Sequence, residues 1–152
     1  MHIYVLRIAE SGTDMEKAKI SGEVAQEQNR NGFLDYCEEE PLEDDARNML
    51  LESYNHKLFI PGKDDKSFRL VKSFKTVLGD IKLKGIKALL EEMTPENFHI
   101  KQWLLEQAIS NKWSLYINEQ KTYCTIPLDE WVMTLAREDV EYTIIQQFDA
   151  HI

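Results

Sequence analysis

The feature that most constrains the fold is a change of hydrophobic period near residue 113. Before it, in segments 41–54, 64–78, 83–93 and 94–110, apolar residues recur every three or four positions, the spacing of a helix face. After it, the segments WSLYI (113–117) and TYCTI (122–126) alternate, which is typical of strands. With 152 residues carrying both patterns, the sequence predicts one α+β domain spanning residues 1–152.

The predicted strands lie at the two ends of the chain, apart from a short strand, KLFI (57–60), that Pro61-Gly62 ends. IYVLRI (3–8) predicts an opening strand, and the polar link 118–121 predicts that the two alternating segments form a hairpin. LDEWVMTLA (128–136) predicts a short helix, and VEYTII (140–145) a last strand with Val140, Tyr142 and Ile144 on one face. The resulting β-β-α-β order predicts that this helix crosses between two parallel strands.

The middle of the chain is predicted to be helical. Helices are expected over 13–29, 41–54, 64–78, where Gly79 ends the helix, and 83–93. Thr94-Pro95-Glu96 has the composition of a helix start, and the helix it opens is expected to reach Ser110. Its buried face is predicted to contain four apolar residues, Phe98, Trp103, Leu104 and Ile109. Trp103→Ala is therefore expected to destabilise the fold by about 3–5 kcal/mol.

Charge is segregated along the chain, whose net charge is −9. Residues 57–87 carry nine cations against three aspartates, a balance of 9 − 3 = +6. Residues 10–56 sum to 4 − 13 = −9, and residues 88–152 to 4 − 11 = −7. Since complementary charge steers association and selects partners, the segregation favours a protein that binds another macromolecule.

The acidic run 38–45, EEEPLEDD, has six carboxylates in eight positions: Glu38, Glu39, Glu40, Glu43, Asp44 and Asp45. Three interpretations are open. The run can stabilise the positive end of the helix predicted to begin at Pro41, bind a basic partner, or hold a hard cation. A calcium loop of EF-hand type needs alternating ligands around a central glycine, and the run lacks both. Partner binding is the functional interpretation that we retain.

The basic segment has four cations that a helical wheel places opposite the apolar stripe of the predicted helix 64–78: Lys66, Arg69, Lys72 and Lys75. A solvated helix face explains their polarity but not their common sign, because mixed charges avoid mutual repulsion. The repulsion is offset either by the acidic remainder of the molecule or by an anionic ligand. Binding of nucleic acid or a phosphate ligand is therefore the alternative function.

Motifs for catalysis, metals or cofactors are absent from the sequence. The four histidines are dispersed, and no GxSxG, Walker A or GxGxxG motif occurs. We therefore predict no catalytic residues, no metal site and no cofactor. Four aromatic residues of the strand segments, Trp113, Tyr116, Tyr123 and Tyr142, are expected to form core and cross-strand pairs, with a base-stacking surface as the alternative.

One motif fragment raises an enzymatic alternative. Asp64 or Asp65, followed by Asp80-Ile81-Lys82, resembles the acidic and acidic-x-Lys elements of metal-dependent nucleases of the PD-(D/E)xK type. The resemblance implies that two carboxylates bind Mg²⁺ and that Lys82 positions a water. It also implies that these residues lie on adjacent strands, whereas periodicity predicts a helix for residues 66–78.

Together these observations predict a small acidic protein that binds another protein with a basic surface. An inhibitor or immunity-type factor is the form we expect, acting by covering that surface. No membrane span or signal peptide is visible, and Cys37 and Cys124 are expected to be free thiols in a reducing compartment. The location is accordingly predicted to be cytoplasmic, without membrane association.

Overall fold

The computed structural model describes residues 1–30, 32, 34–110 and 115–152, and these form one mixed sheet with helices on both faces. The α+β class predicted from the sequence is confirmed. The strands are β1 (His2–Glu10), β2 (Tyr36–Glu40), β3 (Phe59–Pro61), β4 (Ser67–Leu70), β5 (Leu115–Glu119), β6 (Cys124–Pro127) and β7 (Tyr142–His151). The helices are α1 (Met15–Ala18), α2 (Gly22–Glu27), α3 (Ala46–Glu52), α4 (Phe74–Glu92), α5 (Phe98–Ser110) and α6 (Leu128–Thr134).

The two long terminal strands lie at the centre of the sheet. The strand order is β3-β4-β7-β1-β5-β6, and β2 also pairs with β7, farther along the edge that β4 occupies. The β1–β5 pair is parallel, and the other strand pairs of the described sheet are antiparallel. The N-terminal strand is therefore paired on both of its edges.

Each face of the sheet has its own apolar core. The larger core contains Trp131 of α6, which lies edge-on to Tyr142 with 5.2 Å between ring centroids, while Phe68 stacks on Tyr142 at 5.7 Å. The smaller core, on the opposite face, packs Val5 and Phe148 with α2. Aromatic pairs of this kind add to the free energy of burial, so the fold is anchored around α6 and the centre of the sheet.

The predicted helix 13–29 is two short helices. Asp14 caps α1 and Ser21 caps α2, each accepting a backbone N–H bond. At Gly22, a Cβ would lie 2.0 Å from the carbonyl oxygen of Cys37, so only glycine allows α2 to start against β2. The predicted helix is interrupted before Gly22, because this close contact fixes the residue at which α2 begins.

The predictions for residues 64–93 are wrong in their boundaries. Residues 67–70 form strand β4, and a single helix, α4, then runs from Phe74 through Gly79 and Gly85 to Glu92. Leu70 fits the helical stripe in sequence and Phe68 lies at the edge of the basic residues on the wheel, yet both are buried and alternate with exposed Arg69 on a strand. Pairing with β3 and β7, rather than the helical period of the longer segment, determines the structure of residues 67–70.

The C-terminal prediction is correct in its elements and wrong in its pairing. The β5–β6 hairpin, α6 and β7 are present, although Asn118 belongs to β5 rather than to the turn. The expected parallel pair across α6 does not exist, because β6 and β7 are not neighbours and β7 is antiparallel to β1. Parallel pairing occurs instead between β1 and β5.

The helix α5 is present but begins at Phe98, three residues after the predicted first helical position Pro95, and it buries little. Thr94 and Asn97 exchange backbone-to-side-chain hydrogen bonds of 2.7 and 3.3 Å at its start, which satisfies two amide groups there. The four residues predicted to be buried, Phe98, Trp103, Leu104 and Ile109, are exposed by 51%, 62%, 40% and 58%. The sequence predicted these four side chains to be buried, but all four are exposed in the part of the chain that the structure describes.

Candidate functional site

One end of the sheet face that carries the larger core is uncovered, and we call it the open sheet face. Residues opposite one another on neighbouring strands share a face. The rows that β2, β7 and β1 form at this end bring together Tyr36, His151 and His2, then Glu38, Asp149 and Tyr4, and then Glu40, Gln147 and Leu6. The first two rows are solvent-accessible, since Tyr36 and Tyr4 are 44% and 41% exposed, whereas Gln147 and Leu6 are fully buried.

The open sheet face places two carboxylates against each other. Glu38 of β2 lies directly opposite Asp149 of β7, and like charges in such positions destabilise a sheet. Tyr36 donates its hydroxyl to Glu38, and His2 Nδ1 lies 3.2 Å from Asp149 Oδ2. These neighbours relieve only part of the repulsion, so a cation placed between the two carboxylates would be stabilised.

Gln147 forms the inner border of the open sheet face. Its side chain is fully buried, yet among the described residues neither its amide nitrogen nor its amide oxygen has a hydrogen-bond partner. A buried polar group without a partner costs free energy and is uncommon in native proteins. Because Gln147 and Asp149 are two residues apart on β7, both point to the same side of the sheet. The inner border of the open sheet face therefore contains an amide donor and an amide acceptor, both of Gln147, that make no hydrogen bond within the described residues.

The acidic run 38–45 continues from the open sheet face along the chain. Glu38, Glu39 and Glu40 belong to β2, and Glu43, Asp44 and Asp45 lie in the connection to α3. Pro41 does not begin a helix, and Asp45 at the start of α3 makes no capping bond with its side chain. Helix-end stabilisation thus accounts for part of the run at most. Within the described residues, no salt bridge neutralises any of the six carboxylates.

The four candidate basic residues do not share a helix face, because the predicted helix 64–78 is absent. Lys66 precedes β4 and its Nζ donates to the carbonyl of Glu43, and Arg69 lies on β4 with Nε 3.9 Å from Glu141 Oε1. Lys72 is in the turn before α4, and Lys75 is in the first turn of that helix. The basic residues therefore lie on separate elements.

The nuclease-like residues are not arranged on adjacent strands. Asp80 and Lys82 are both on α4, where Asp80 pairs with Lys84 across one helical turn at 2.9 Å. Lys82 Nζ instead lies 2.9 Å from Asp129 Oδ2, joining α4 to α6. Lys82 is thus part of a structural contact in this conformation. In the part of the chain that is described, no group of three or more histidine, cysteine or carboxylate side chains is placed to hold a metal ion.

A buried polar network that the sequence did not reveal crosses the centre of the sheet. Arg7 donates to Asn118, whose amide nitrogen donates to Gln28 at 2.8 Å and to Thr125 at 2.6 Å. Glu119, 1% exposed, accepts a 3.0 Å bond from the indole of Trp131. Burial raises the pKa of Glu119. The other carboxylate oxygen of Glu119, Oε1, makes no hydrogen bond within the described residues and lies 3.6 Å from Arg137 Nη2. Arg7, Asn118, Thr125 and Glu119 are buried, so we assign the network a structural role.

The aromatic residues of the strands mostly serve the core. Tyr116 and Tyr142 are buried at 7% and 0% exposure, while Tyr123 in the hairpin turn is 67% exposed. Trp113 lies outside the described residues. Among these residues, then, the two tyrosines on strands are core residues as expected, and a stacking surface would have only Tyr123.

Comparison with protein-family models, curated proteins and solved structures found no match. The function must therefore be inferred from the surface itself. Both cysteines are buried and free, as predicted. None of the described helices combines the length and the apolar character needed to cross a lipid bilayer.

Proposed function

We propose that the protein is a cytoplasmic protein-binding module, an inhibitor or immunity-type factor, that covers a basic surface of its target. The open sheet face and the acidic run 38–45 form the binding surface. The observation that carries the proposal is the opposed pair Glu38 and Asp149, two carboxylates on neighbouring strands without a lysine or arginine partner in the described structure.

An arginine or lysine side chain of the target fits the chemistry of this surface. Inserted between Glu38 and Asp149, a cation removes their repulsion and forms charge-assisted hydrogen bonds. Tyr4 and Tyr36 in the adjoining positions offer aromatic faces for cation–π contact, at about 0.5–1 kcal/mol each when exposed. An arginine that reaches inward would also find the free amide oxygen of Gln147.

The rest of the acidic run extends the surface toward α3 and adds long-range attraction. Its carboxylates are exposed, apart from half-buried Glu40. Charge of this kind raises the association rate of an oppositely charged protein, and salt screens the effect over about 8–10 Å at physiological ionic strength. A basic nuclease or another nucleic-acid-binding protein would present a positively charged surface. The carboxylates of the acidic run would then occupy the positions that the phosphates of the nucleic acid take on that surface.

The first test is affinity capture from the native host with two charge-matched variants. In the acidic-run variant, four residues are neutralised to the corresponding amides: Glu38, Glu39, Glu43 and Asp45. The control variant loses the same charge at four exposed carboxylates elsewhere: Glu23, Glu27, Glu52 and Asp65. The proposal predicts a basic protein that wild type and control retain and the acidic-run variant loses. Equal retention by all three would place the binding site elsewhere.

The captured protein then allows kinetics to be measured at low and high salt. The acidic-run variant should associate more slowly than the control, with a flatter dependence on salt. Glu38→Gln alone should weaken binding without lowering stability, because it also relieves the repulsion with Asp149. Association rates unchanged at both salt concentrations would reject the acidic surface.

Binding to nucleic acid is the alternative outcome of these experiments. It requires affinity for DNA or RNA at low salt that is lost when Lys66, Arg69, Lys72 and Lys75 are changed to glutamate. Such a result would transfer the function to the basic residues. It would also show that their separate elements nevertheless form one phosphate-binding surface.

A further inference from the structure

Two histidines border the opposed carboxylates of the open sheet face. His2 of β1 and His151 of β7 lie directly opposite each other, one row outward from Glu38 and Asp149. Their rings meet edge-on with 5.6 Å between centroids. Histidine is the side chain that ordinarily changes charge between about pH 5 and pH 8. The two rings therefore bear on how the surface responds to pH.

His2 is in direct contact with one of the two carboxylates. Its Nδ1 lies 3.2 Å from Asp149 Oδ2 and 3.3 Å from Asp149 Oδ1. An ionised carboxylate can only accept hydrogen bonds, so neutral His2 carries its proton on Nδ1 and donates it to Asp149. Nε2 is then the atom that takes up a further proton. The side chain of His2 is 77% exposed, so this proton can come from solvent without any rearrangement of the sheet.

The groups around His2 come from the neighbouring strands. The titratable side chains that share its face are Tyr4 on β1, Asp149 and His151 on β7, and Tyr36 and Glu38 on β2. This set contains no lysine or arginine. His151 Nε2 lies 2.9 Å from the amino nitrogen of Met1, and the described part of β5 begins at Leu115, beside Tyr4. Protonation of His2 therefore places a new positive charge next to the two carboxylates.

A protonated His2 competes with the cation that the proposed function places between Glu38 and Asp149. A target cation that is hydrogen-bonded to the Asp149 carboxylate lies about 6 Å from the imidazole, since each group is one hydrogen-bond length from that carboxylate. Two like charges at this separation near a protein surface weaken binding roughly three- to thirtyfold. Neutral His2 has no such effect, so the affinity of the surface for a cation depends on the charge of His2.

The inner border of the same face gives an independent indication of a ligand. Gln147 lies two residues from Asp149 on the same side of β7, and its fully buried amide makes no hydrogen bond within the described residues. A ligand that donates to this amide would supply the missing partner. Because an amide does not change charge with pH, the contribution of Gln147 stays constant while that of His2 varies.

We propose that His2 makes the open sheet face a pH-dependent binding surface, which holds a basic target at neutral pH and releases it when His2 becomes protonated. This inference rests on the proposed function, because it concerns the regulation of the same site. The coupling is reciprocal, so a bound target disfavours the protonated form of His2. Binding in weakly acidic solution therefore releases protons to the solvent, at most one from His2 for each target bound.

Calorimetry with a basic peptide tests the proposal before the target is known. The probe is N-acetyl tetra-arginine amide, which has no group that titrates between about pH 5.5 and pH 7.5, and exposed carboxyl groups ordinarily titrate below this range. At low ionic strength, wild type should bind the peptide at least about threefold more weakly at the lower pH. Titrations in two buffers of different ionisation enthalpy should show that binding near pH 6 releases protons.

Two histidine variants identify the titrating group. His2→Gln keeps a side-chain N–H that can donate to Asp149 but carries no charge in this range. It should lose most of the pH dependence and most of the proton release. His99→Gln is the matched control, since His99 is an exposed histidine on α5, and it should behave as wild type does. A pH dependence that persists in full in His2→Gln, or that His99→Gln removes, overturns the proposal.

The outcomes also separate this inference from the proposed function. Peptide binding that is equal at both pH values but weakened by Glu38→Gln would overturn the role of His2 and leave the acidic surface in place. Absence of peptide binding by wild type at about pH 7.5 would contradict the acidic surface itself, and the role of His2 with it. Wild type and His2→Gln are compared at the same pH, with circular dichroism checking the fold of each, so loss of structure cannot account for a difference between them.

Discussion

Two neighbouring glutamines in β7 allow the cost of an unpartnered polar group to be measured directly. Gln146 and Gln147 are 2% and 0% exposed. Gln146 exchanges two hydrogen bonds with the backbone of Ile20, of 2.9 and 3.0 Å, whereas neither amide atom of Gln147 has a partner in the part of the chain that the structure describes. The same change to leucine at the two positions should therefore shift stability in opposite directions.

The expected magnitudes follow from the bonds that each change removes. Gln147→Leu removes two buried polar atoms, each with a desolvation cost of about 1–3 kcal/mol, against a packing cost of about 1 kcal/mol because leucine is branched and differs in shape. The net effect should be a gain of about 1–5 kcal/mol in the free energy of unfolding. Gln146→Leu leaves the N–H and C=O of Ile20 without partners and should lose about 2–4 kcal/mol.

Urea denaturation followed by circular dichroism measures both changes, with the m-value checking that the unfolding reaction is unchanged. Thermal denaturation should give a rise of about 4–8 °C for a gain of 2 kcal/mol in a chain of this size. A loss of more than 1 kcal/mol in Gln147→Leu would refute the reasoning, because the amide would then have partners in solution. If the gain is observed and target binding weakens in the same variant, Gln147 is kept for binding at a cost in stability.

Two further predictions concern burial. Trp103→Ala should lower the free energy of unfolding of the monomer by less than about 1 kcal/mol, whereas Trp131→Ala, at a fully buried site, should cost about 3–5 kcal/mol, both measured by urea denaturation at low protein concentration; comparable losses would mean that α5 is covered. For Glu119, burial raises the pKa in the folded state above the ordinary value of 4.5. At pH values between 4.5 and this raised pKa, the folded protein binds more protons than the unfolded chain. Ionisation of Glu119 therefore lowers stability as the pH rises above 4.5. Glu119→Gln should therefore gain stability relative to wild type between acidic and neutral pH, and a difference that does not change with pH would contradict the assignment.

The parts of the fold that the sequence predicted are those with a local signal. Characteristic patterns of residues within a few positions mark the opening strand, the hairpin, α6 and the presence of α5, although α5 begins three residues later than predicted. The strand β4 was missed because its four residues were included in the longer helical pattern 64–78, and only pairing with β3 and β7 shows that they form a strand. The pairing of β1 with both β5 and β7 joins the two ends of the chain, which a pattern within one segment cannot indicate.

The sequence predicted the acidic residues of the candidate site, but not their arrangement in space. The acidic run was visible as a cluster of charge, but its first half is a strand rather than a helix end. Asp149 lies 111 residues beyond Glu38 in sequence, and only the register of β2 with β7 makes them neighbours. Gln147 carried no signal, since an isolated glutamine in a strand segment is ordinary. The exposure of α5 was missed because an apolar stripe looks the same whether the molecule or a partner covers it.

The ion pairs of the fold are distributed unequally between the basic segment 57–87 and the acidic run 38–45. Arg69 pairs with Glu141, and Lys75 lines a shallow hollow together with Glu138, so carboxylates of the C-terminal third lie beside part of the basic segment. The acidic run has no comparable salt bridge within the described residues. A sum of charges along the sequence does not show this difference. In the folded protein, nearby carboxylates offset part of the positive charge of segment 57–87, whereas the negative charge of the acidic run faces solvent. The six carboxylates of the acidic run therefore stay without a salt bridge, within the described residues, beside the uncovered end of the sheet, which is why the proposal places its basic partner there.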